Sequence, residues 1–216
     1  AFGDQGISLI NQGNQAEANA IALQSDGKII AGGFYSDQDI SRPLCARFNS
    51  DGTLDSSFGQ NGLIIENDLM YAQVADLKVQ ADGKVIITGT YADQGQLSIF
   101  IIRYLTNGIR DTAFANQGFL SYRSGYHSGS SALGIQSDNK IVVGGFNVTE
   151  SRQLLLIRLN IDGTLDTEYG QEGAVFSTIG TSSQIESIVL DSSDHVIVAG
   201  TSDNQFLTAR YTNLGS

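Results

Sequence analysis

Short runs of aliphatic residues, each bounded by turn residues, dominate the chain. In its first quarter these runs are Ala20–Leu23, Lys28–Ala31, Leu44–Phe48 and Gly62–Ile65, separated by Gly, Asn, Asp and Ser. Apolar runs this short with such boundaries are typical of β-strands. No stretch shows the sustained 3.6-residue period of an amphipathic helix. The pattern therefore predicts an all-β chain.

The pattern repeats at intervals of 56, 56 and 55 residues. A first phrase, QSDGKIIAGG, returns with small changes, so that its copies begin at Gln24, Gln80, Gln136 and Asp191. A second phrase, NSDGTLDSSFGQNG at Asn49–Gly62, returns as TNGIRDTAFANQG at Thr106–Gly118 and as NIDGTLDTEYGQEG at Asn160–Gly173. Four short strands in each unit of about 55 residues are typical of a propeller blade. We therefore expect a β-propeller with four-stranded blades.

The two ends of the chain carry matching parts of one repeat. We expect a single domain, 1–216, with repeats at 16–66, 72–122, 128–178, and 183–216 plus 1–10. The last repeat stops inside its second phrase, whereas Ala1–Gly6 matches the end of that phrase. Because the two ends supply consecutive parts of one repeat, we predict that the N-terminal strand Ile7–Ile10 completes the last blade and closes a ring of four. The alternative is that the four repeats are part of a larger ring or oligomer.

The two phrases at this spacing resemble the delta-60 repeats, a bacterial propeller-like family. The resemblance covers nearly the whole chain and implies a propeller fold, most often in exported or cell-surface proteins. It implies no common activity. The chain departs from the repeat at Arg110, where the other copies have Leu, and at Asp194-His195, which replace Gly-Lys.

The charge balance limits the partners. There are 23 acidic and 12 basic residues, for a net charge of −11, and most of the acids are Asp, which favours turns. Without a basic patch, nucleic acid is not an expected partner, and no apolar run reaches the roughly 20 residues of a membrane helix.

Cys45, alone in an apolar run, is interpreted as a small core residue.

The second phrase has two interpretations. Asp51 and Asp55 have a spacing that could ligate Ca²⁺, although the second copy has Asn107 in place of Asp51. The interpretation we prefer is structural: Asp51 turns the chain, Asp55 caps a short turn, and an aromatic residue plugs each loop. These plugs are Phe58, Phe114, Tyr169 and Phe2. We therefore expect no metal or cofactor, with Ca²⁺ as the alternative.

Four arginines share one repeat position. They are Arg47, Arg103, Arg158 and Arg210, each flanked by apolar residues. A buried guanidinium needs a fixed acceptor, and the aspartates of the second phrase, Asp55, Asp111 and Asp166, are the expected partners. The alternative is a ring of anion-binding arginines.

No catalytic motif stands out in the sequence. Asp76 and Lys78 replace alanines of the first repeat on the strand expected to line the central channel, where they could pair. Together with His127, they are the candidates for an enzyme alternative, a hydrolase or lyase with its site at the channel mouth.

The connections between strands predict where a ligand would bind. The Asp-Gly turns and the second phrase lie at one end of the strands and define a uniform face, alike in every repeat. The remaining loops define a varied face, with the candidate binding residues Tyr35, Arg42, Tyr71, Tyr91, Tyr126, His127 and Arg152. Varied loops on a rigid scaffold suit recognition, although unconstrained drift would give the same variation. We expect a non-catalytic binding or scaffold module that engages a protein or glycan.

Overall fold

The computed structural model describes residues 2–216, which form fifteen strands in four antiparallel sheets and contain no helix. Sheet 1 contains β1 (Gln15–Leu23), β2 (Ile29–Asp37), β3 (Ile40–Phe48) and β4 (Leu63–Ile65); sheet 2 contains β5 (Gln73–Val79), β6 (Val85–Asp93), β7 (Gln96–Tyr104) and β8 (Phe119–Tyr122). Sheet 3 contains β9 (His127–Ile135), β10 (Ile141–Val148), β11 (Arg152–Leu159) and β12 (Ala174–Ser177); sheet 4 contains β13 (Ser183–Leu190), β14 (Val196–Ser202) and β15 (Gln205–Tyr211). In each sheet the strands follow one another in chain order.

The first strand of every sheet carries a bulge at the same repeat position. The registers shift between Ala18 and Ala20 in β1 and between Val74 and Asp76 in β5, and corresponding shifts occur in β9 and β13. Because a bulge increases the local right-handed twist, its repetition gives the four sheets a common shape.

The core lies between consecutive sheets. Three apolar clusters fill the interfaces between sheets 1 and 2, 2 and 3, and 3 and 4, and the inner strands β1, β5, β9 and β13 lie side by side. Cys45 is buried in the first cluster; burial and the nearby Glu66 carboxylate raise the pKa of its thiol to about 12. The arrangement is propeller-like, as predicted, but the row of sheets is not closed.

The N-terminal segment does not lie where the sequence predicts. Ile7–Ile10 forms no strand, and sheet 4 has three strands. The segment packs on sheet 1 instead, where the Gly3 amide donates to the Asp51 carbonyl (2.6 Å) and Ser8 Oγ donates to the Gly52 carbonyl (2.5 Å). These backbone acceptors are within reach of the segment, whereas in residues 2–216 no hydrogen bond holds it to the edge of β15. Ala1 lies outside the described residues.

The Asp-Gly turns of the uniform face are not type I′ turns. In the first of them, the Gly27 amide donates to the Gln24 carbonyl (3.0 Å), and Gly27, not Asp26, has a positive φ. This is a type I turn followed by a left-handed residue, which also closes a hairpin. Two successive positive φ values occur on the varied face, for example at Gln38 and Asp39.

In residues 2–216 no helix is long and apolar enough to cross a membrane.

Candidate functional site

The second phrase is pinned to its own sheet by a buried cluster of charges. In sheet 1, Arg47 Nε donates to Asp55 Oδ2 (2.8 Å) and Lys28 Nζ lies 2.9 Å from the same oxygen. Both Arg47 and Asp55 are buried. Lys28, which follows the Asp-Gly turn, is therefore a partner of the cluster.

The same cluster recurs in the next two sheets. Arg103 and Lys84 bind Asp111 (2.9 and 3.3 Å), and Arg158 and Lys140 bind Asp166 (2.6 and 2.9 Å). The expected pairing of the repeated arginines with the repeated aspartates is present in all three complete copies. The guanidinium groups are therefore occupied by carboxylates of the same chain.

Each arginine also links its sheet to the next one. The Arg47 guanidinium stacks over the Phe58 ring, 4.3 Å from its centroid, and Arg47 Nη1 donates to the Thr106 carbonyl of sheet 2 (2.6 Å). The amide of Gly59, next to Phe58, donates to the Asn107 carbonyl (2.8 Å). Equivalent bonds lead from Arg103 and Arg158 to Ile161 and Asn213. The second phrase is thus a lock between consecutive sheets.

The aspartates of these clusters are stabilised in the charged form. Burial alone would raise the pKa of Asp55, but hydrogen bonds from Ser57 and Lys28 and the charge of Arg47 lower it well below its usual range. Against the effect of burial, the Ala113 amide, Arg103 and Lys84 lower the pKa of Asp111. Lys140 and Arg158 lower the pKa of Asp166 in the same way. Each carboxylate is a strong acceptor that protein donors already occupy.

The proposed calcium ligands are also engaged by the protein. Asp51 Oδ1 accepts from the Thr53 amide and hydroxyl (2.9 and 2.6 Å), and these bonds lower the pKa of Asp51. Among residues 2–216 no group of three His, Cys, Asp or Glu side chains lies close enough together to hold a metal ion.

Sheet 4 has a different charge cluster. Here Arg210 is bound by Asp191, with His195 Nδ1 3.0 Å from the arginine. Asp191 stands where the other repeats have Gln, and His195 where they have Lys. The two departures at the turn of the last repeat therefore supply the partners of Arg210, a pairing that sequence reasoning missed.

A second cluster that sequence reasoning missed lies between sheets 1 and 2. Glu66, buried just after β4, accepts from the Tyr104 hydroxyl and from Arg110. The departure at Arg110 thus provides the counter-charge of a buried glutamate. A signal was present at Arg110, which departs from the leucine of the other copies, whereas Glu66 stands at a position that differs in every repeat.

The proposed channel pair forms, but not as part of a catalytic set. Lys78 Nζ lies 2.8 Å from Asp76 Oδ2, and that same oxygen accepts from the Leu133 amide of sheet 3 (2.8 Å). His127 is engaged elsewhere, because its Nδ1 accepts from the Leu97 amide (3.0 Å). Within residues 2–216 Asp76 and His127 share no hydrogen bond.

Several candidates of the varied face are held within the sheets. Tyr35 is buried in β2. Tyr91 lies in β6, where its ring packs edge-on against Phe100 and Phe119 and its hydroxyl contacts Ser121 Oγ (2.8 Å). The rings of Tyr35 and Tyr91 therefore serve packing.

The two arginine candidates are half-buried at the varied face. Arg152 stacks over the Phe146 ring, 3.6 Å from its centroid, and burial lowers its pKa. In both Arg42 and Arg152 the buried Nε has no hydrogen-bond partner. The Arg152 guanidinium, held flat on the Phe146 ring, can offer its remaining N–H groups to a ligand.

Tyr71 and Tyr126 are the exposed aromatic residues of the varied face. Their side chains are 59% and 65% exposed, and they lie in the loops that lead from sheet 1 to 2 and from sheet 2 to 3. Met70, next to Tyr71, and Ile179 in the following loop are exposed as well. Each of these three loops thus presents a large apolar side chain at the same end of the strands.

The loop at residues 66–72 holds Tyr71 in an unusual conformation. Tyr71 has a φ of +52°, which is rare for a bulky residue. On either side of it Leu69 and Ala72 are buried, and the Ala72 amide donates to the Ser41 carbonyl (3.2 Å). The loop is therefore anchored at both flanks and projects Met70 and Tyr71 from a fixed base.

Exposure alone does not identify a binding face. Ile109 and Ile161, on the uniform face, are exposed to a similar degree. The varied face differs because its exposed side chains stand on loops that are unlike one another in sequence and are anchored in the hairpins of the sheets.

Comparison with known proteins gives one family. The family model described as "Domain of unknown function (DUF5122) beta-propeller" matches residues 24–58, 80–114 and 136–169. Each match runs from the Asp-Gly turn to the aromatic plug, so that it covers one charge cluster and its lock. No curated protein matches the chain. Three of the four repeats thus match this β-propeller family of unknown function, which is consistent with a repeat family of the delta-60 type.

Proposed function

We propose that the chain is a non-catalytic recognition module that binds a protein or glycan through its varied face. The observation that carries the proposal is the anchored loop at 66–72, which presents Met70 and Tyr71, with Tyr126 presented by the next sheet-to-sheet loop. Tyrosine gives a large amphipathic contact at low entropic cost, and pre-ordered loops lose little entropy on binding.

The charges of the module favour a neutral or weakly polar ligand. The net charge of −11 repels nucleic acids and anionic membranes. The repeated arginines are occupied by aspartates of the chain. An exported or cell-surface location, which the resemblance to the delta-60 family implies, belongs to the same proposal.

No observation favours the hydrolase or lyase alternative. Asp76 is bonded to Lys78 and to the Leu133 amide, where it contributes to the interface between sheets 2 and 3. A general acid or base needs reach to a substrate, and His127 lies apart from this pair, bonded to β7.

The proposal is tested with two kinds of probe, neutral hexasaccharides (cello-, xylo- and chitohexaose) and peptides selected from a displayed random library. Binding is followed by amide shifts in ¹H–¹⁵N spectra. We expect a bound probe to shift the amides of residues 66–72 and 123–127. In the double variant Tyr71→Ser/Tyr126→Ser its affinity should fall at least tenfold, because one large stacking or packing contact is worth about 1–3 kcal/mol.

The matched control is Ile109→Ser/Ile161→Ser, which removes two side chains of similar exposure from the uniform face. This variant should bind as the unmodified protein does. If the tyrosine variant keeps its affinity and the isoleucine variant loses it, the ligand binds the uniform face and the proposal is wrong.

A further inference from the structure

The two ends of the row of sheets expose surfaces that are buried at the internal interfaces. In sheet 1, Ile21 is 71% exposed, whereas its repeat equivalent Leu77 is fully buried against sheet 1. In sheet 4, Phe206 is 87% exposed, whereas its equivalent Ile99 is fully buried against sheet 3. Exposed apolar faces of this kind mark interaction sites.

The N-terminal segment already makes part of the interface that sheet 1 lacks. The Gly3 amide donates to the Asp51 carbonyl (2.6 Å), the bond that the residue after each aromatic plug makes at the internal interfaces. Phe2 stands at the plug position, with its ring 6.5 Å from that of Phe48. The segment thus lies on sheet 1 as residues 58–66 lie on sheet 2.

A groove beside this segment marks the place of the missing sheet. It has a volume of about 440 Å³ and is lined by apolar side chains, among them Leu9, Ile21, Ile29 and Leu44. The equivalents of the last three in sheet 2 are buried against sheet 1. The groove is therefore the receiving half of a sheet-to-sheet interface.

Sheet 4 presents the complementary half. The Arg210 side chain is 60% exposed, whereas Arg47, Arg103 and Arg158 stack over the aromatic residues of their own phrases. The outer edge of β15 has no partner strand among the described residues. By repeat position, Ile7–Leu9 corresponds to β4, which pairs with the outer edge of β3 in sheet 1. An open strand edge of this kind accepts a further strand.

One chain does not bring these two halves together. A ring of four would bury the faces of sheets 1 and 4 against each other, but Ile21 and Phe206 remain exposed. The four sheets of one chain therefore leave both end faces open, and a closed ring needs further sheets. Propellers commonly have four to eight.

We propose that the occupant of both end faces is a second copy of this chain, and that two copies close head to tail into a ring of eight sheets. Sheet 4 of each copy packs into the groove on sheet 1 of the other. Arg210 then stacks over Phe2 of the second copy, and β15 pairs with its Ile7–Leu9. Head-to-tail contacts that close by rotation give a discrete two-fold ring.

The first test is the mass of the full 216-residue chain in solution, measured by light scattering or sedimentation equilibrium over a wide range of protein concentration. We expect twice the chain mass without larger species, because the ring has no free ends. A chain that is monomeric throughout, or a series of trimers and longer oligomers, would overturn the proposal.

The second test uses charges placed on the two faces, at side chains that are exposed in the single chain. Ile21→Asp and Phe206→Lys should each weaken dimerisation at least tenfold while the circular dichroism and the melting temperature of the monomer are kept. Ile161→Asp, on an exposed residue of the uniform face, is the matched control and should stay dimeric.

Mixing the two variants tests the head-to-tail geometry. In a mixed dimer, one interface brings the two substituted faces together, so that their introduced charges are opposite and attract, and the other joins two unmodified faces. Native mass spectrometry should therefore detect mixed dimers from variants that are monomeric alone.

If Phe206→Lys alone dimerises normally, the contact is face to face and the proposal is wrong. If both variants lower the melting temperature of a monomer, the ring closes within one chain and the proposal is equally wrong.

Discussion

Arg110 and Glu66 form an ion pair where the outer strand of sheet 1 meets sheet 2. Arg110 stands at the one position of the second phrase where the other copies have leucine, Leu54 and Leu165. Glu66 is buried and also accepts from the Tyr104 hydroxyl. A buried carboxylate without a counter-charge is strongly destabilising, so the departure at Arg110 is a compensation for Glu66.

Arg110→Leu, which restores the residue of the other repeats, should therefore destabilise the protein. The change leaves Glu66 buried with only the tyrosine donor, and we expect a loss of about 2 kcal/mol in the free energy of unfolding, less than for a fully buried pair because Arg110 is partly exposed. Urea unfolding followed by circular dichroism measures this loss.

The double variant Glu66→Gln/Arg110→Leu is the control for this effect. The neutral amide still accepts from Tyr104 and needs no counter-charge, so most of the lost stability should return. A double variant as unstable as the sum of the two single variants would show that the charges are not coupled.

The features that were predictable from sequence are those that recur. Arg47 and Asp55 keep the same spacing in three copies, and a polar pair that is repeated among apolar residues has few explanations besides mutual pairing. The strands were predictable for the same reason, because four versions of one pattern reinforce its period.

The features that were missed depend on how the sheets pack. The sequence around Tyr35 predicts a strand of a hairpin, in which the ring could be exposed or buried. The ring is buried because it lies on the side of the strand that packs against neighbouring residues. The match of Ala1–Gly6 to the end of the second phrase assigns the N-terminal segment to the last repeat, but its contacts with Asp51 and Gly52 depend on the distance between sheets. Local spacing carries no information about that distance.

Removing one arginine of a charge cluster should be costly. Arg103→Ala leaves Asp111 buried with Lys84 alone and removes the stacking on Phe114 and the bond to sheet 3. We expect a loss of about 3 kcal/mol in the free energy of unfolding. The exposed Arg123→Ala is the matched control and should change stability by less than about 0.5 kcal/mol. Equal effects of the two variants would contradict a role of the cluster in stability.

The aspartates of the clusters should make the protein sensitive to acid. The pKa values of Asp55, Asp111 and Asp166 are lower in the folded state than their ordinary value of 3.8. The folded protein therefore binds fewer protons than the unfolded chain, and this stabilisation is complete above about pH 4–5 and is lost as the pH falls through the lowered values.

Urea unfolding between pH 7 and pH 2 measures this dependence. The free energy of unfolding should decline below about pH 4, and Asp111→Asn should be less stable at pH 7 but show a shallower decline. A variant that declines as steeply as the unmodified protein would exclude Asp111 as a source of the acid sensitivity.

Cys45 should be chemically silent in the folded protein. Its side chain is buried between sheets 1 and 2, and burial together with the Glu66 carboxylate raises the pKa of the thiol to about 12. Because the thiolate is the reactive form, a thiol-specific disulfide reagent at pH 8 should label the native protein far more slowly than the urea-unfolded chain. Equal labelling rates would show that this interface opens freely.

Two glycines separate the cost of backbone conformation from the cost of crowding at a sheet-to-sheet interface. Gly108 and Gly95 have nearly the same φ, +82° and +80°, but an added Cβ at Gly108 would lie 2.7 Å from the Gly59 amide nitrogen, whereas none of the protein lies within 4 Å at Gly95. Both alanine variants pay about 1–2 kcal/mol for the left-handed backbone. Gly108→Ala must also push sheet 2 away from the lock of sheet 1, and overpacking adds about 1–3 kcal/mol. In thermal unfolding, Gly108→Ala should therefore have a clearly lower melting temperature than Gly95→Ala. Similar melting temperatures would mean that the bond between Gly59 and Asn107 contributes little to the stability of the interface.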